Sequence, residues 1–410
     1  MSAELLKTLI IVITVSIAIF RVILNELDVR SSAQALAGKP SEDTVKAVAY
    51  TKAKHRFENA NILIQMALVL CLLSFGWFGQ FQQLIAANVQ GQLWQDFVFL
   101  ISLIGGLFVF GIPFSVYRTF VLEAKFGFNR TTVATFILDR VRGIIIGSII
   151  LVPLSLALLW IYQLIPTQIW WIAFVILSVV NLIMFAIGTT VILPLFNKLQ
   201  ELPEGELKTK ILKLCQDQNY KLKRIFVMDG SKRSSKTNAF FSGIGKSKTI
   251  VLFDSLIEKH TVDEVVGVLG HEIGHDRLGH VKTIFLLNLI QSFFIFALFG
   301  WAVQEPALSQ ALGGNGVELE LALIAFAMLF SPISFLLGIL DNSISRRNEH
   351  GSDIFAAKAY GAKHIISALK RLGIDNLSNP KPHPMYVTVY YSHPPVAKRI
   401  AHVSQLVEMD

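Results

Sequence analysis

Seven runs of apolar residues, each long enough to cross a lipid bilayer, decide what this chain can fold into. They are Leu5 to Leu24, Ile62 to Phe81, Phe97 to Tyr117, Ile144 to Ile165, Trp170 to Leu195, Ile284 to Val303 and Leu319 to Leu340. A helix needs roughly 20 apolar residues to span the hydrocarbon, where every backbone N–H and C=O must be paired within its own segment. Each run therefore reads as a membrane helix. Composition agrees: 53% of the residues are hydrophobic and 16% charged, which excludes an ordinary soluble enzyme. Cys71, inside the second run, and Cys215, in a polar segment, imply neither a disulfide framework nor a thiolate metal site.

The net charge of +8 is placed as membrane topology requires, which removes the need for a nucleic-acid partner. The stretches Gln82 to Asp96, Pro166 to Ile169 and Gln304 to Glu318 contain no Lys or Arg. By contrast, Arg30, Lys39, Lys46, Lys52, Lys54 and Arg56 follow the first run, and Arg118, Lys125, Arg130, Arg140 and Arg142 lie between the third and fourth. Positive charge stays inside, so the N-terminus is expected outside and the C-terminus, with all large polar segments, in the cytoplasm. Trp77, Trp94, Trp160, Trp170, Trp171 and Trp301 then all fall at the outer interface, where indole rings prefer to sit. The alanines at 33, 35 and 37 resemble signal-cleavage sites, but Arg21, Glu26, Asp28 and Arg30 separate them from the apolar run, so it is expected to stay as an anchor.

Chemistry converges on Thr261 to His280, TVDEVVGVLGHEIGHDRLGH. Thr261 and Glu264 form a capping box, and Val262, Val265, Val266, Val268 and Leu269 lead as a helix into His271-Glu-Ile-Gly-His275. Positions i and i+4 share a helix face, so His271 and His275 can point at one Zn²⁺, with Glu272 beside them to move a proton between the attacking water and a leaving amine. A buried helix with two satisfied histidines is the bland alternative. Catalytic zinc sites use three protein ligands, and the polar stretch after the last run, Asp341 to Asp353, supplies Glu349 as the expected third. Asp353, one turn on, can accept from a ligand imidazole. His350 competes by chemistry but is rotated about 100° from Glu349. Arg346 and Arg347 read as juxtamembrane interface charges.

Around this motif the pattern changes. Phe126 to Thr132 reads as a turn before an amphipathic helix, and Pro203 with Gly205 ends the fifth span before a helix at Leu207 to Gln218. From Arg224 the period is strand-like: RIFVMDG, then Asn238 to Phe241, then Lys248 to Phe253, with Gly243 and Gly245 turning between the last two. An edge strand beside a zinc helix can hold an extended peptide by backbone pairing, and Asn238 can bond that backbone; it reads equally well as a plain turn residue. In the tail, Tyr391 to Arg399 places His393 before a proline-initiated helix with Arg399 two turns on, where both can donate to an oxyanion, although His-Pro-Pro is often only a helix start. His260, His280, His364 and His402 are expected to be solvated or structural.

Taken together, FGFNRTT, LPLFNKLQELPEGEL, DGSKRSSKTNAFFSG, KTIVLFDSLI, HEIGH, SRRNE with Asp353, and YSHPPVAKRI resemble the type I CAAX prenyl protease family of gluzincin-type membrane zinc metalloproteases. The resemblance implies an α-helical membrane protein whose seven transmembrane helices form a barrel around an intramembrane chamber, with a small α/β zinc-protease subdomain on the cytoplasmic side. It divides the chain into a five-helix membrane domain, 1–200, and a metallopeptidase domain, 201–410, that includes the last two spans. It implies His271, His275 and Glu349 as ligands of one catalytic Zn²⁺, Glu272 as general base and acid, Asp353 as the acid behind the ligands, Asn238 as the substrate-strand asparagine, and His393 with Arg399 as the transition-state pair. The expected reaction is removal of the C-terminal tripeptide from a prenylated Cys-aliphatic-aliphatic-X peptide, with peptide or protein as substrate, lipid as surroundings and no obligate protein partner. This chain departs from the common pattern at His350-Gly-Ser and at Lys236-Thr, neither of which is a ligand position. The compact last spans and the Val407 to Asp410 ending fit a bacterial plasma-membrane member, or the endoplasmic reticulum if the source is eukaryotic. Two other readings stand beside this one: an HtpX-like quality-control protease for membrane proteins, and a non-catalytic zinc-containing scaffold or lipid-binding protein. Glu272 argues against the scaffold, since a structural site has no use for a carboxylate beside its ligands. A transporter is disfavoured, because no inverted repeat relates the two halves.

Overall fold

The computed structural model describes residues 1–242 and 248–407. The turn expected at Gly243 and Gly245 lies outside the described residues. Two long helices open the chain, α1 (Ala3–Ala33) and α2 (Glu42–Ser74), each begun by a serine, Ser2 or Ser41, whose hydroxyl accepts a first-turn N–H. The second apolar run is broken, not continuous to Phe81. Gly76, at φ 64°, takes the left-handed conformation that costs glycine nothing, and α3 (Trp77–Asn88) turns under the bundle. Helices α4 (Gln92–Tyr117), α5 (Val133–Leu164) and α6 (Ile169–Ile187) complete the first half, with α6 running through a π turn, Gly188–Ile192, into α7 (Leu193–Phe196).

The second half alternates before it returns to the membrane. β1 (Leu199–Glu201), α8 (Glu206–Asp217), β2 (Arg224–Met228), β3 (Ala239–Ser242) and β4 (Thr249–Phe253) are followed by α9 (Asp254–Lys259) and the capped α10 (Val262–Arg277). Then come α11 (His280–Ala302), α12 (Pro306–Ala311), α13 (Leu319–Tyr360), α14 (Ala362–Asp375), α15 (Pro384–Tyr390) and α16 (Val396–Val407). The strand order is β1-β2-β4-β3, with β2 parallel to β4 and the outer strands antiparallel. β3 is thus an edge, as its position before the zinc helix suggested. β1 was not foreseen; its Leu-Gln-Glu carries no strand period and is held by pairing with β2.

Among the described residues, seven helices are long and apolar enough to cross a membrane. In five of them only 6% of the apolar window is buried. A tightly packed bundle would cover more, so these helices stand as walls with two largely uncovered faces, suited to enclosing a hollow. Of the five apolar clusters among the described residues, two bear on the site's position. One joins the ends of α1, α2, α4, α11 and α13 through Ile10, Leu73, Phe99, Val303 and Leu321, with Phe78 of α3 and Leu308 of α12. The other is the core of the α/β unit, where Leu256, Val266, Leu269 and Ile273 pack on Ile250 and Leu252 of the central strand and are all fully buried.

Helix α13 has 42 residues, about 63 Å at 1.5 Å per residue, roughly twice the hydrocarbon thickness. Its apolar first half crosses the membrane, and its polar second half runs on beside α10. Gly274 permits that contact: a Cβ there would lie 3.1 Å from the Ser352 backbone. The membrane span and the α/β unit therefore meet along α10 and α13, where the candidate site lies.

Candidate active site

The capping box is present: Thr261 Oγ1 accepts from the N–H of Glu264, and Glu264 Oε2 accepts from the N–H of Thr261. It anchors the start of α10, so the face three turns on is set. His271 and His275 lie on that face with their Nε2 atoms 3.1 Å apart. From α13, Glu349 brings Oε2 to 3.4 Å from His271 Nε2 and Oε1 to 3.2 Å from His275 Nε2. One ligand atom from each of the three lies within 4.8 Å of the others. Glu349 is 4% exposed, so a carboxylate has been carried out of water to face two imidazole nitrogens. Two imidazoles and a carboxylate, converging from two rigid helices with one side open, fit a divalent metal of the zinc kind.

The groups behind these three orient them. Asp353 Oδ1 is 2.9 Å from His271 Nδ1, which puts the proton on Nδ1 and leaves Nε2 bare for a metal. Arg399 grips the same carboxylate, with Nε 2.8 Å and Nη2 2.6 Å from the two Asp353 oxygens, and its Nη1 is 3.3 Å from Glu349 Oε2. Burial opposes charge on His271, but the hydrogen bonds with Asp353 and Glu349 outweigh it and hold the imidazole up at about 9. Metal and proton compete for the same nitrogen. Burial also raises the carboxyl of Glu272 above the ordinary glutamate value, against the lowering effect of His271 and His275. His393 Nε2 reaches Glu349 Oε1 at 3.2 Å while its ring stays largely exposed.

Beside these ligands lies a cavity of about 480 Å³, lined by His271, Glu272, Asp353, His393, Arg399 and Asn238. The Asn238 side chain is exposed, and its Oδ1 accepts from the N–H of Ala239 at 2.9 Å. His271, Glu272, Asn238, Asp353, His393 and Arg399 thus line one cavity, and His275 and Glu349 meet His271 at its edge. His350 does not reach the ligand group; its ring lies 4.7 Å from that of His402.

Three participants escaped the sequence reading. His280, expected to be solvated or structural, has its Nδ1 3.2 Å from His275 Nδ1 and 3.3 Å from Ser352 Oγ, so it stands behind the second histidine as Asp353 stands behind the first. Arg346, read as an interface charge, instead donates from Nη1 to the carbonyls of Val387 and Tyr391 at 3.0 and 2.6 Å, which fixes the chain just before His393. Asn376 pairs with both backbone groups of Thr237, beside Asn238. None stands at a helical spacing from the motif it serves, so no periodicity could have found them.

The same order of elements is found in known proteins. Residues 28–198 match the family described as CAAX prenyl protease N-terminal, five membrane helices, and residues 201–407 match peptidase family M48. The chain is 34% identical over 363 residues to CAAX prenyl protease 1 homolog of Mus musculus, covering 78% of this chain and 76% of that one. It is 32% identical to CAAX prenyl protease 1 homolog of Arabidopsis thaliana (87% and 86% covered) and 31% identical to CAAX prenyl protease 1 of Saccharomyces cerevisiae (88% and 85%). The crystal structure of S. mikatae Ste24p superposes with a TM-score of 0.91 at 29% identity, covering 97% of this chain and 99% of that one. Matched along both its membrane half and its catalytic half, this multi-pass membrane metalloendopeptidase belongs to peptidase family M48, in the CAAX prenyl protease group.

Proposed function

We propose that the chain removes the C-terminal tripeptide from prenylated Cys-aliphatic-aliphatic-X peptides, and that its metal is a single Zn²⁺ held by His271, His275 and Glu349. The observation that carries this is the convergence of those three side chains beside a cavity that His271 and Glu272 line together with Asn238 and Ala239 at the start of the edge strand β3. A bound Zn²⁺ supplies Lewis acidity to the scissile carbonyl and to the attacking water. Glu272 takes the proton from that water and delivers it to the nitrogen of the leaving peptide. Arg399 and His393 donate to the carbonyl oxygen as it gains charge, and Asp353 keeps both Arg399 and His271 in position. Asn238 and the open side of β3 hold the peptide backbone extended.

The charge distribution supports a topology with the α/β unit in the cytoplasm: the loops predicted outside carry no Lys or Arg. A peptide made in the cytoplasm then meets the site directly, while its lipid stays in the membrane.

Hydrolysis of a farnesylated CaaX peptide by membranes carrying the protein tests the proposal, beside Glu272→Gln membranes and a chelated sample. Release of the tripeptide that both controls abolish is expected. Turnover of unmodified membrane proteins without turnover of the prenylated peptide would favour the quality-control reading.

A further inference from the structure

The track that a peptide can follow along β3 has an end. Phe253 donates its N–H to the carbonyl of Asn238, and the register pairs Ala239 with Leu252 and Phe240 with Val251. Antiparallel strands alternate between residues bonded inward and residues facing outward, so Thr237, Ala239 and Phe241 turn their backbone groups to the outer side, where the Ala239 N–H is held by Asn238 Oδ1 at 2.9 Å. At Thr237 that side is already closed: its N–H donates to Asn376 Oδ1 at 3.2 Å, and its carbonyl accepts from Asn376 Nδ2 at 3.3 Å. Backbone pairing with a substrate must stop there.

Beyond the stop lies a second cavity, of about 250 Å³, which shares Asn376, Asn379 and Tyr391 with the catalytic one. It has room for a terminal residue and not for a folded protein. A substrate of the proposed kind has three residues after the scissile bond and a whole protein before it. The short end therefore points to the small cavity, antiparallel to β3. Three extended residues reach about 10 Å.

The walls of this cavity suit an anion. Lys236 and Lys54 both line it. The Lys236 ammonium is fixed by Glu123 at 3.0 Å, by the Tyr50 hydroxyl at 2.9 Å and over the Phe128 ring at 4.3 Å, which leaves one of its three N–H groups. Lys54 meets Glu58 only at 3.8 Å. Neither Glu123 nor Glu58 lines the cavity. Asp28, which does, is already engaged by His55 Nε2, Asn379 Nδ2 and the N–H of His383. Arg399, paired with Asp353 and Glu349, lines the catalytic cavity and not this one.

We infer that Lys236, with Lys54 beside it, receives the free C-terminal carboxylate of the substrate and so measures the three-residue tail. The inference rests on the tripeptide reading above. The test compares two farnesylated peptides of one sequence, one ending in a free acid and one in a carboxamide, with full-length zinc-loaded protein. The wild type is expected to favour the acid by about 10-fold or more in kcat/KM, the scale of one charge-assisted hydrogen bond. K236Q and K54Q should bring the acid-to-amide ratio toward one through loss on the acid, and K236R should preserve it. A wild-type ratio near one, or a ratio unchanged in both glutamine variants, overturns the lysine assignment while leaving tripeptide release intact. No turnover of either peptide by the wild type overturns both. If K236Q loses all turnover because its contacts with Glu123 and Tyr50 support the fold, K54Q and K236R decide the matter by the same ratio.

Discussion

His271 directs its Nδ1 at Asp353 Oδ1, 2.9 Å away, while Arg399 holds the same carboxylate through two bonds of 2.8 and 2.6 Å. One buried acid on α13 thus sets the tautomer of a candidate zinc ligand on α10 and the place of the candidate oxyanion donor on α16. Asp353→Asn keeps the size but replaces one accepting oxygen by a donor, so it cannot serve both neighbours. Zinc affinity and kcat/KM should each fall about 10–100-fold. Competition with a calibrated chelator measures the first, and an affinity equal to wild type would remove Asp353 from the ligand-orienting role.

Glu272 differs from its neighbours in standing outside the trio whose ligand atoms converge. Glu272→Gln should therefore keep one zinc per chain, determined by elemental analysis, and lose about 10²–10⁴ in kcat/KM as proton transfer fails. His275→Ala should lose the metal itself. If Glu272→Gln retains full turnover, proton relay by this residue is wrong.

What could be read in the sequence follows from how local each signal is. The seven spans and the zinc helix declare themselves by length, period and the Thr261–Glu264 cap, all within a few turns of chain. Glu349 and Asp353 were legible because α13 leaves the membrane as a helix, and a four-residue spacing fixes a shared face. The break at Gly76 was not legible, since Leu73 and Phe78 on either side are equally apolar, and only their packing in one cluster reveals the turn. His280 lies beyond the positive φ of Gly279, so its distance along the chain from His275 says nothing about direction. Asn376 and Arg346 act through backbone groups far away in sequence, which no residue pattern encodes.

His260 gives a pH dependence outside the metal site. Its side chain is fully buried, with Nε2 3.3 Å from Asp375 Oδ2 and Nδ1 3.7 Å from Glu264 Oε2. Burial lowers its pKa below the ordinary 6.5 despite the two carboxylates, and Arg371 acts in the same direction. The folded state then binds fewer protons than the unfolded state once the pH drops through 6.5, so stability present above that pH is lost below it. The slope is at most about 1.4 kcal/mol per pH unit for one proton. Between pH values of about 7.5 and 5.5, the Tm in detergent should fall further for the wild type than for His260→Gln. Equal falls would assign the slope to other groups.

Arg233 joins the two halves of the chain through a geometry that lysine cannot copy. Its Nε and Nη2 meet the two oxygens of Asp139 on α5 at 2.7 and 2.8 Å. Nη1 donates to Asn197 Oδ1 and Nη2 to the Phe196 carbonyl, both at 2.7 Å, at the end of α7. Its own carbonyl accepts from the N–H of Arg130 and the hydroxyl of Thr131, each at 3.1 Å, so the FGFNRTT and DGSKRS motifs form one joint. The guanidinium supplies four bonds in a plane, whereas an ammonium is a point charge. Arg233→Lys should lower unfolding stability by about 1.5–3 kcal/mol, the range for hydrogen bonds to charged groups, with zinc affinity unchanged because no ligand moves. Since Asp139 and Arg233 act as a pair, Asp139→Asn combined with Arg233→Lys should cost less than the two single changes added together. Strict additivity in thermal unfolding would mean that the joint is held by the Asn197 and Phe196 contacts alone.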